Sequence, residues 1–319
     1  MKAVPAPKAD WVWMDGEIVA WAEAKIHVAS EALLRGANVF EGERAYWSAE
    51  HEDLYIFRHA EHLRRLRQSA RVMRMQVPYT DAELTAGCIE LIRRHGWRDS
   101  VHFRPVVYFG EGEQHAFRPG DIRTGVFILA FRRPSRPSVE TGIRSCVSTW
   151  RRNPDNAAPS RIKAAANYHN GRLAQVEATL AGFGTPIMLN MAGKVAESPG
   201  SCFMMVRDGT VITPPVTADI LEGITRATLI QLFREAMGVP VVERDIDRSE
   251  LYVCDEAFFC GSGQEVQPIV AVDHYEIGDA RPGPVTRGIQ ALYFDVVRGK
   301  HKPYRSWLTP VYGGGPPVE

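Results

Sequence analysis

A mixed α/β (α+β) protein in two domains is what this sequence predicts, on three observations. The chain has 319 residues, more than one hydrophobic core usually supports. Strand-like runs give way repeatedly to helical periodicity along its first part. The stretch 132–140 then brings two prolines and two serines, and beyond it the pattern changes character. The predicted organisation is a smaller N-terminal α/β domain over 1–131, a linker region over 132–153 and a larger C-terminal domain over 154–319.

The opening runs Trp11 to Met14 and Glu17 to Ala20 flank Asp15-Gly16, a dipeptide suited to the positive backbone angles of a tight hairpin. Leu54 to Phe57 reads as a strand feeding a helix over Arg58 to Met73, where apolar residues recur at helical spacing among arginines. Thr80-Asp81-Ala82-Glu83 is a capping box ahead of a helix ending near Gly96. Val101 to Phe109 and Gly125 to Phe131 are apolar strands. Past the linker, Asn167 to Gly182 predicts a helix and Pro186 to Asn190 a strand. Asp208-Gly209 turns a second hairpin, and Ile224 to Met237 is an amphipathic helix stopped by Gly238. Strands at Glu256 to Cys260 and Val266 to Val272 precede a closing helix near Val285 to Val297. The proline and glycine tail from Gly313 is expected to be floppy.

Composition excludes several function classes. Thirty-eight basic and 38 acidic residues give a formal net charge of zero, so no overall field recruits nucleic acid or an acidic membrane. No apolar run approaches the roughly 18 residues of a membrane helix, and no N-terminal targeting pattern is visible. Cys88, Cys146, Cys202, Cys254 and Cys260 form no CxxC pair, so a metal site is not expected and a reduced, cytoplasmic setting fits. Small-molecule chemistry is favoured. Gly110 and Gly112 lack the third glycine and the distant acid of a dinucleotide site. His51, His59 and His62 read as surface histidines.

The best amine in the chain is Lys163, one of only seven lysines, set among small residues in Arg161-Ile162-Lys163-Ala164-Ala165-Ala166-Asn167-Tyr168. An imine-forming cofactor such as pyridoxal phosphate needs that amine, a carboxylate for its ring nitrogen and donors for its phosphate. Glu197 follows Gly193-Lys194-Val195-Ala196, and Leu221-Glu222-Gly223-Ile224-Thr225-Arg226 opens a helix whose first amides could hold an anion. Cys260-Gly261-Ser262-Gly263 and Phe57-Arg58-His59 add a hydroxyl and a guanidinium. Alone, each has a plain structural alternative: surface lysine, turn glutamate, helix cap, tight turn, solvated arginine.

Together, in this order and spacing, they resemble the branched-chain aminotransferases, members of the fold-type IV family of pyridoxal phosphate enzymes. The resemblance runs from Ser148 through Pro268 and implies the two-domain fold-type IV architecture, with the cofactor between the domains. It further implies that Lys163 holds pyridoxal 5'-phosphate as a Schiff base and acts as general acid/base, that Tyr168 bonds the phenolic oxygen, and that Glu197 pairs with the pyridine nitrogen. Leu221 would pack on the ring, and Ile224, Thr225, Ser262 and Arg58 would bind phosphate. Val39-Phe40-Glu41-Gly42 matches a further family segment, placing Phe40 and Arg44 in the substrate pocket, with Ser262 and Gly263 facing the substrate as well. The family's Tyr-x-Arg pair reads His102-Phe103-Arg104 here, and Arg35 replaces another tyrosine. Arg35, His102 and Arg104 therefore predict a more cationic pocket end. The family's glycines after the glutamate are replaced by Ser198-Pro199-Gly200-Ser201-Cys202.

The implied activity is transamination of a branched-chain-like L-amino acid, with glutamate and 2-oxoglutarate as the shared pair, in a homodimer. Within the same fold, the alternatives are a D-amino acid or (R)-amine aminotransferase or aminodeoxychorismate lyase. From another class, the alternative is a catalytically silent cofactor-binding protein.

Overall fold

The computed structural model describes residues 9–112 and 120–313. They form two compact units. The first takes the described residues up to Pro134, then Ile162–Ala166, then those from Val296 onward; the second takes Ser135–Arg161 and Asn167–Asp295.

In the first unit, the predicted opening hairpin pairs β1 (Trp11–Met14) with β2 (Glu17–Ala20). Asp15 and Gly16 turn it at φ 48° and 101°, angles that glycine and aspartate tolerate best. A short helix, α1 (Glu31–Arg35), is capped by Ser30 and leads to β3 (Asn38–Phe40) and β4 (Glu43–Ser48), which the sequence did not announce. Then come β5 (Asp53–Phe57), α2 (His59–Val72) and α3 (Asp81–His95), the last starting on the predicted Thr80–Glu83 capping box and ending at left-handed Gly96. The long strands β6 (Val101–Gly112) and β7 (Ile122–Arg132) complete the sheet.

Its order places β5, β4, β6, β7, β1 and β2 side by side, with β3 also on β6 and the late strand Leu308–Pro310 on the outer edge of β5. Every pairing is antiparallel. One sheet face packs on α2 and α3 through Leu54, Ile56, Leu63, Leu66, Leu91 and Phe103. Alternation along β4 and β6 therefore turns Arg44, His102 and Arg104 to the other face.

Ile162 and Ala164 belong to this same core although they follow the linker. Asn38 O accepts from Ala165 N–H at 3.0 Å, Lys163 O accepts from Phe40 N–H at 3.0 Å, and Val39 bridges Ala164. These bonds stitch the segment to β3. A single cut through the sequence would assign it elsewhere.

The second unit begins with α4 (Ser138–Thr141), β8 (Ile143–Ser145) and β9 (Val147–Arg151), then α5 (Asn167–Leu180) and β10 (Ile187–Leu189). The predicted hairpin at Asp208-Gly209 joins β11 (Cys202–Arg207) to β12 (Thr210–Thr213). Helix α6 (Ile224–Leu232) passes into a wider π turn through Met237 before Gly238 ends it. After β13 (Val241–Glu243), the strands β14 (Glu256–Gly261), β15 (Glu265–Val272) and β16 (Tyr275–Glu276) finish a sheet ordered β13, β12, β11, β14, β15, β16, with β8 also on β15. Most of α7 (Pro284–Val297) lies in this unit. The tail past Gly313 lies outside the described residues. Among those described, no helix is long and apolar enough to cross a membrane.

Candidate active site

Lys163 is fixed in place by its neighbours along the chain. Ile162 and Ala164 bury into the first unit's core, so in an extended segment Lys163 must turn the other way. Its backbone N–H donates to Ser69 Oγ on α2 at 3.0 Å, and its Nζ stands 5.1 Å from the centre of the Phe40 ring. Sequence reasoning missed Ser69, a serine among helical residues with no local signal.

Arg58 opens α2 in the left-handed conformation, φ 54°. Its backbone N–H donates to Trp307 O at 2.7 Å, its guanidinium lies 4.5 Å over the Trp307 ring, and Nε sits 2.6 Å from Glu61. A solvated arginine is thereby excluded.

On the outer face of the same sheet, Arg44 stands opposite His102, and Phe131 flanks His102 from the other side. The Arg104 guanidinium lies 4.7 Å over Phe40, and both residues line a groove of about 380 Å³ with Val106, Tyr108, Phe127 and Leu129. Arg35, in the last turn of α1, pairs with Glu31 one turn earlier.

Behind this face lies a buried polar layer that the sequence misread. His62 and Arg65 both hold Glu41, with three contacts at 2.7 Å, and His59 holds Glu43 at 2.7 Å. The prediction of surface histidines at 59 and 62 is therefore corrected: both are buried, because carboxylates two residues apart on the β3–β4 segment need partners from α2. Burial alone would raise the Glu41 pKa, but Arg65 and His62 hold it far below the usual carboxylate range. Burial pulls His59 down, and Glu43 outweighs it, so His59 is pushed above its ordinary value. Among the described residues, no group of three or more His, Cys, Asp or Glu could hold a metal ion.

In the second unit, Glu197 is buried and meets Arg152 Nη2 at 2.7 Å. Leu221 N–H donates to the same carboxylate at 3.2 Å, tying Glu197 to the loop that opens α6. Arg152 was not singled out from the sequence. The unusual Ser198–Ser201 stretch is a tight turn: Ser198 Oγ accepts from Gly200 and Ser201 N–H, and Glu197 bridges Cys202 across it. Helix α5 packs on that turn, since a Cβ on Gly171 would come within 3.0 Å of Pro199. Tyr168 lies in the first turn of α5, half-buried, and Asn167 Nδ2 donates to Pro159 O at 2.9 Å.

The α6 start has no side-chain cap, because Gly223 occupies the N-cap position. First-turn amides, with the buried Thr225 hydroxyl beside them, make a donor set suited to a phosphate. Gly223 is dictated by packing: a Cβ there would lie 2.6 Å from Cys202 Sγ. Ser262 and Gly263 form the turn between β14 and β15, closed by Gln264 N–H on Gly261 O. Cys202 and Cys260 are buried register partners that form no disulfide, and burial pushes the Cys260 thiol far up, so it is an inert packing group.

The family model "Amino-transferase class IV" matches residues 38–272, a span that holds every site residue predicted from the sequence but Arg35. The chain belongs to the class IV aminotransferases. As an aminotransferase it takes amino and keto acids as substrates. Similar relatives include the branched-chain-amino-acid aminotransferase of Salmonella typhimurium, 38% identical over 95% of this chain and 98% of that one. Among solved structures, the enzyme of that name from Thermobaculum terrenum in its PLP form is 41% identical, with a TM-score of 0.89 over 96% of this chain and 98% of that one. The T.th. branched-chain amino acid aminotransferase complexed with N-(5'-phosphopyridoxyl)-L-glutamate is 36% identical, with a TM-score of 0.90 over 96% of this chain and 100% of that one. At these identities the class IV aminotransferase has the mixed helix and strand fold of its relatives, which is the fold-type IV architecture expected from its motifs.

Proposed function

We propose that this class IV aminotransferase uses pyridoxal 5'-phosphate to move the amino group of a branched-chain-like L-amino acid to 2-oxoglutarate, with glutamate as the product of that transfer. The observation that carries the reading is Lys163: an amine pinned through its backbone by Ser69 and Phe40, inside a family match of 235 residues, 38–272. Similar proteins include a pyridoxal phosphate form and a phosphopyridoxyl-glutamate complex, which supports the cofactor and the shared pair.

The residues present fit the cofactor's three demands. Uncapped amides at Ile224 and Thr225 suit a phosphate, with Ser262 and Arg58 as further donors. Glu197, paired with Arg152, suits a protonated ring nitrogen, and Leu221 N–H donates to its carboxylate. Tyr168 supplies a hydroxyl for the phenolic oxygen. When bound, pyridoxal phosphate supplies an aldehyde for the amine and a ring that withdraws electrons from the substrate Cα. Lys163 Nζ would then take the Cα proton as general base and, as general acid, deliver a proton to the carbon that had been the cofactor's aldehyde carbon, so that the amino nitrogen stays behind. Phe40 and the apolar part of its groove would receive an aliphatic side chain, while Arg44, His102 and Arg104 would receive a carboxylate, and Gly263 would leave room beside Ser262. Arg35 would add charge at that end.

On the same reading, residues from 154 on are the larger cofactor-binding domain, 132–153 the linker and 1–131 the smaller domain. The protein would act as a homodimer in the cytoplasm. Purified protein reconstituted with the cofactor should be yellow, and L-leucine should shift its visible band, with the reverse shift on adding 2-oxoglutarate. Conversion by D-alanine or (R)-1-phenylethylamine in place of L-leucine would instead select a sister activity, and a band that no donor converts would select a silent binder.

A further inference from the structure

His102 is only 3% exposed, yet among the described residues neither of its ring nitrogens has a hydrogen-bond partner. A neutral imidazole offers one N–H and one lone pair, and burying both unmet is rare enough to require a reason. Its surroundings supply one. Arg44 stands directly opposite on β4, Arg104 lies two residues along the same face of β6, and Phe131 packs at 5.1 Å from β7. Gly42 packs against the edge of the ring, where a Cβ would lie 3.3 Å from Cε1 and 3.5 Å from Nε2. The acidic neighbours Glu41 and Glu43 engage α2 on the opposite face, through His62, Arg65 and His59. Burial first, and then Arg133, Arg104, Arg44 and Lys163, hold His102 well below the ordinary histidine value.

We infer that His102 is a proton-coupled anchor for a substrate carboxylate: an anion docking among Arg44, Arg104 and Lys163 meets the unpartnered imidazole, and the ring takes up one proton from solvent as the complex forms. The identity of the anion rests on the transaminase reading; the coupling does not. An empty site surrounds the ring with cations and keeps it neutral. A carboxylate beside it reverses that field, so anion and proton each strengthen the other's binding, and the two effects are equal by linkage. When the carboxylate leaves, the proton returns to solvent. Affinity for the anion should therefore rise about tenfold per unit fall in pH between the ring's values in the empty and filled sites. A tyrosine in this position, the residue the family motif carries, would give no such dependence.

Glutarate, a dicarboxylate that cannot react, is the probe. Calorimetric titration of the reconstituted holoenzyme, from about pH 5.5 to about pH 8 in buffers of different ionisation enthalpy, reads proton uptake directly. The expected result is uptake approaching one proton, centred inside that interval, with the matching change in Kd. In His102→Asn and His102→Tyr, uptake should vanish and Kd should no longer depend on pH. Absence of glutarate binding, binding without proton uptake, or uptake persisting in His102→Asn would each overturn the inference. Conversion of L-leucine by a holoenzyme that shows no uptake would sink the inference alone, whereas uptake without any conversion would sink the transaminase reading alone.

Discussion

Arg152 and Glu197 meet at 2.7 Å with side chains only 7% and 5% exposed. A carboxylate so placed has its counter-charge buried with it, and removing one partner strands the other. Replacing Arg152 with Met should therefore destabilise the protein by about 3–5 kcal/mol. Urea unfolding checks this, and a change below about 0.5 kcal/mol, typical of exposed sites, would reject a structural role for the pair. Glu197→Gln keeps the shape and loses the charge, and should cost roughly 10²–10³-fold in kcat, the usual scale for removing an aligned electrostatic group.

Gly223 and Cys202 set the opening of α6 together. Gly223→Ala drives a methyl to 2.6 Å from Cys202 Sγ, so the loop before the helix must move. Cofactor affinity should fall at least about tenfold in an absorbance titration. Adding Cys202→Ala, which removes the obstructing sulfur, should restore most of it. Failure of that rescue would mean that Gly223 matters for another reason.

Acid should unfold the first unit's polar layer. The Glu41 carboxyl is held far below its ordinary value of 4.5 in the folded state, so its contribution is complete above that value and lost as pH falls through the range beneath it. The urea midpoint of the parent should drop steeply below about pH 4.5. In Glu41→Gln, less stable at neutral pH, that slope should be shallower. Parallel curves would contradict the assignment.

Arg35 pairs with Glu31 at the end of α1. If it also adds charge for the substrate, Arg35→Tyr should lower kcat/KM for glutamate about tenfold relative to leucine, the equivalent of about 1.4 kcal/mol. Unchanged specificity constants for both donors would confine Arg35 to its helix.

The sequence was legible where a local rule decides the structure. Asp15-Gly16, Thr80–Glu83, Asp208-Gly209 and Gly238 each act within a few residues, and each turn, cap or stop stands where it was expected. Strands β3 and β4 were not legible, because Arg44 and Glu43 face opposite sides and both are buried, so polar residues hide the strand pattern. Cofactor motifs were legible as a set, through their order along the chain. Their supports were not: Ser69, Arg65 and Arg152 lie 94, 24 and 45 residues from Lys163, Glu41 and Glu197, and no spacing rule reaches so far. His59 and His62 were misread for the same reason, since their carboxylates come from the β3–β4 segment, 16 and 21 residues earlier.

The central claim is one amine on one covalent bond. Borohydride reduction of the yellow holoenzyme, followed by peptide mass spectrometry, should find the reduced cofactor on Lys163 and on no other of the seven lysines. Lys163→Ala should lose both the label and turnover. Label on another lysine, or turnover surviving in Lys163→Ala, would contradict the account.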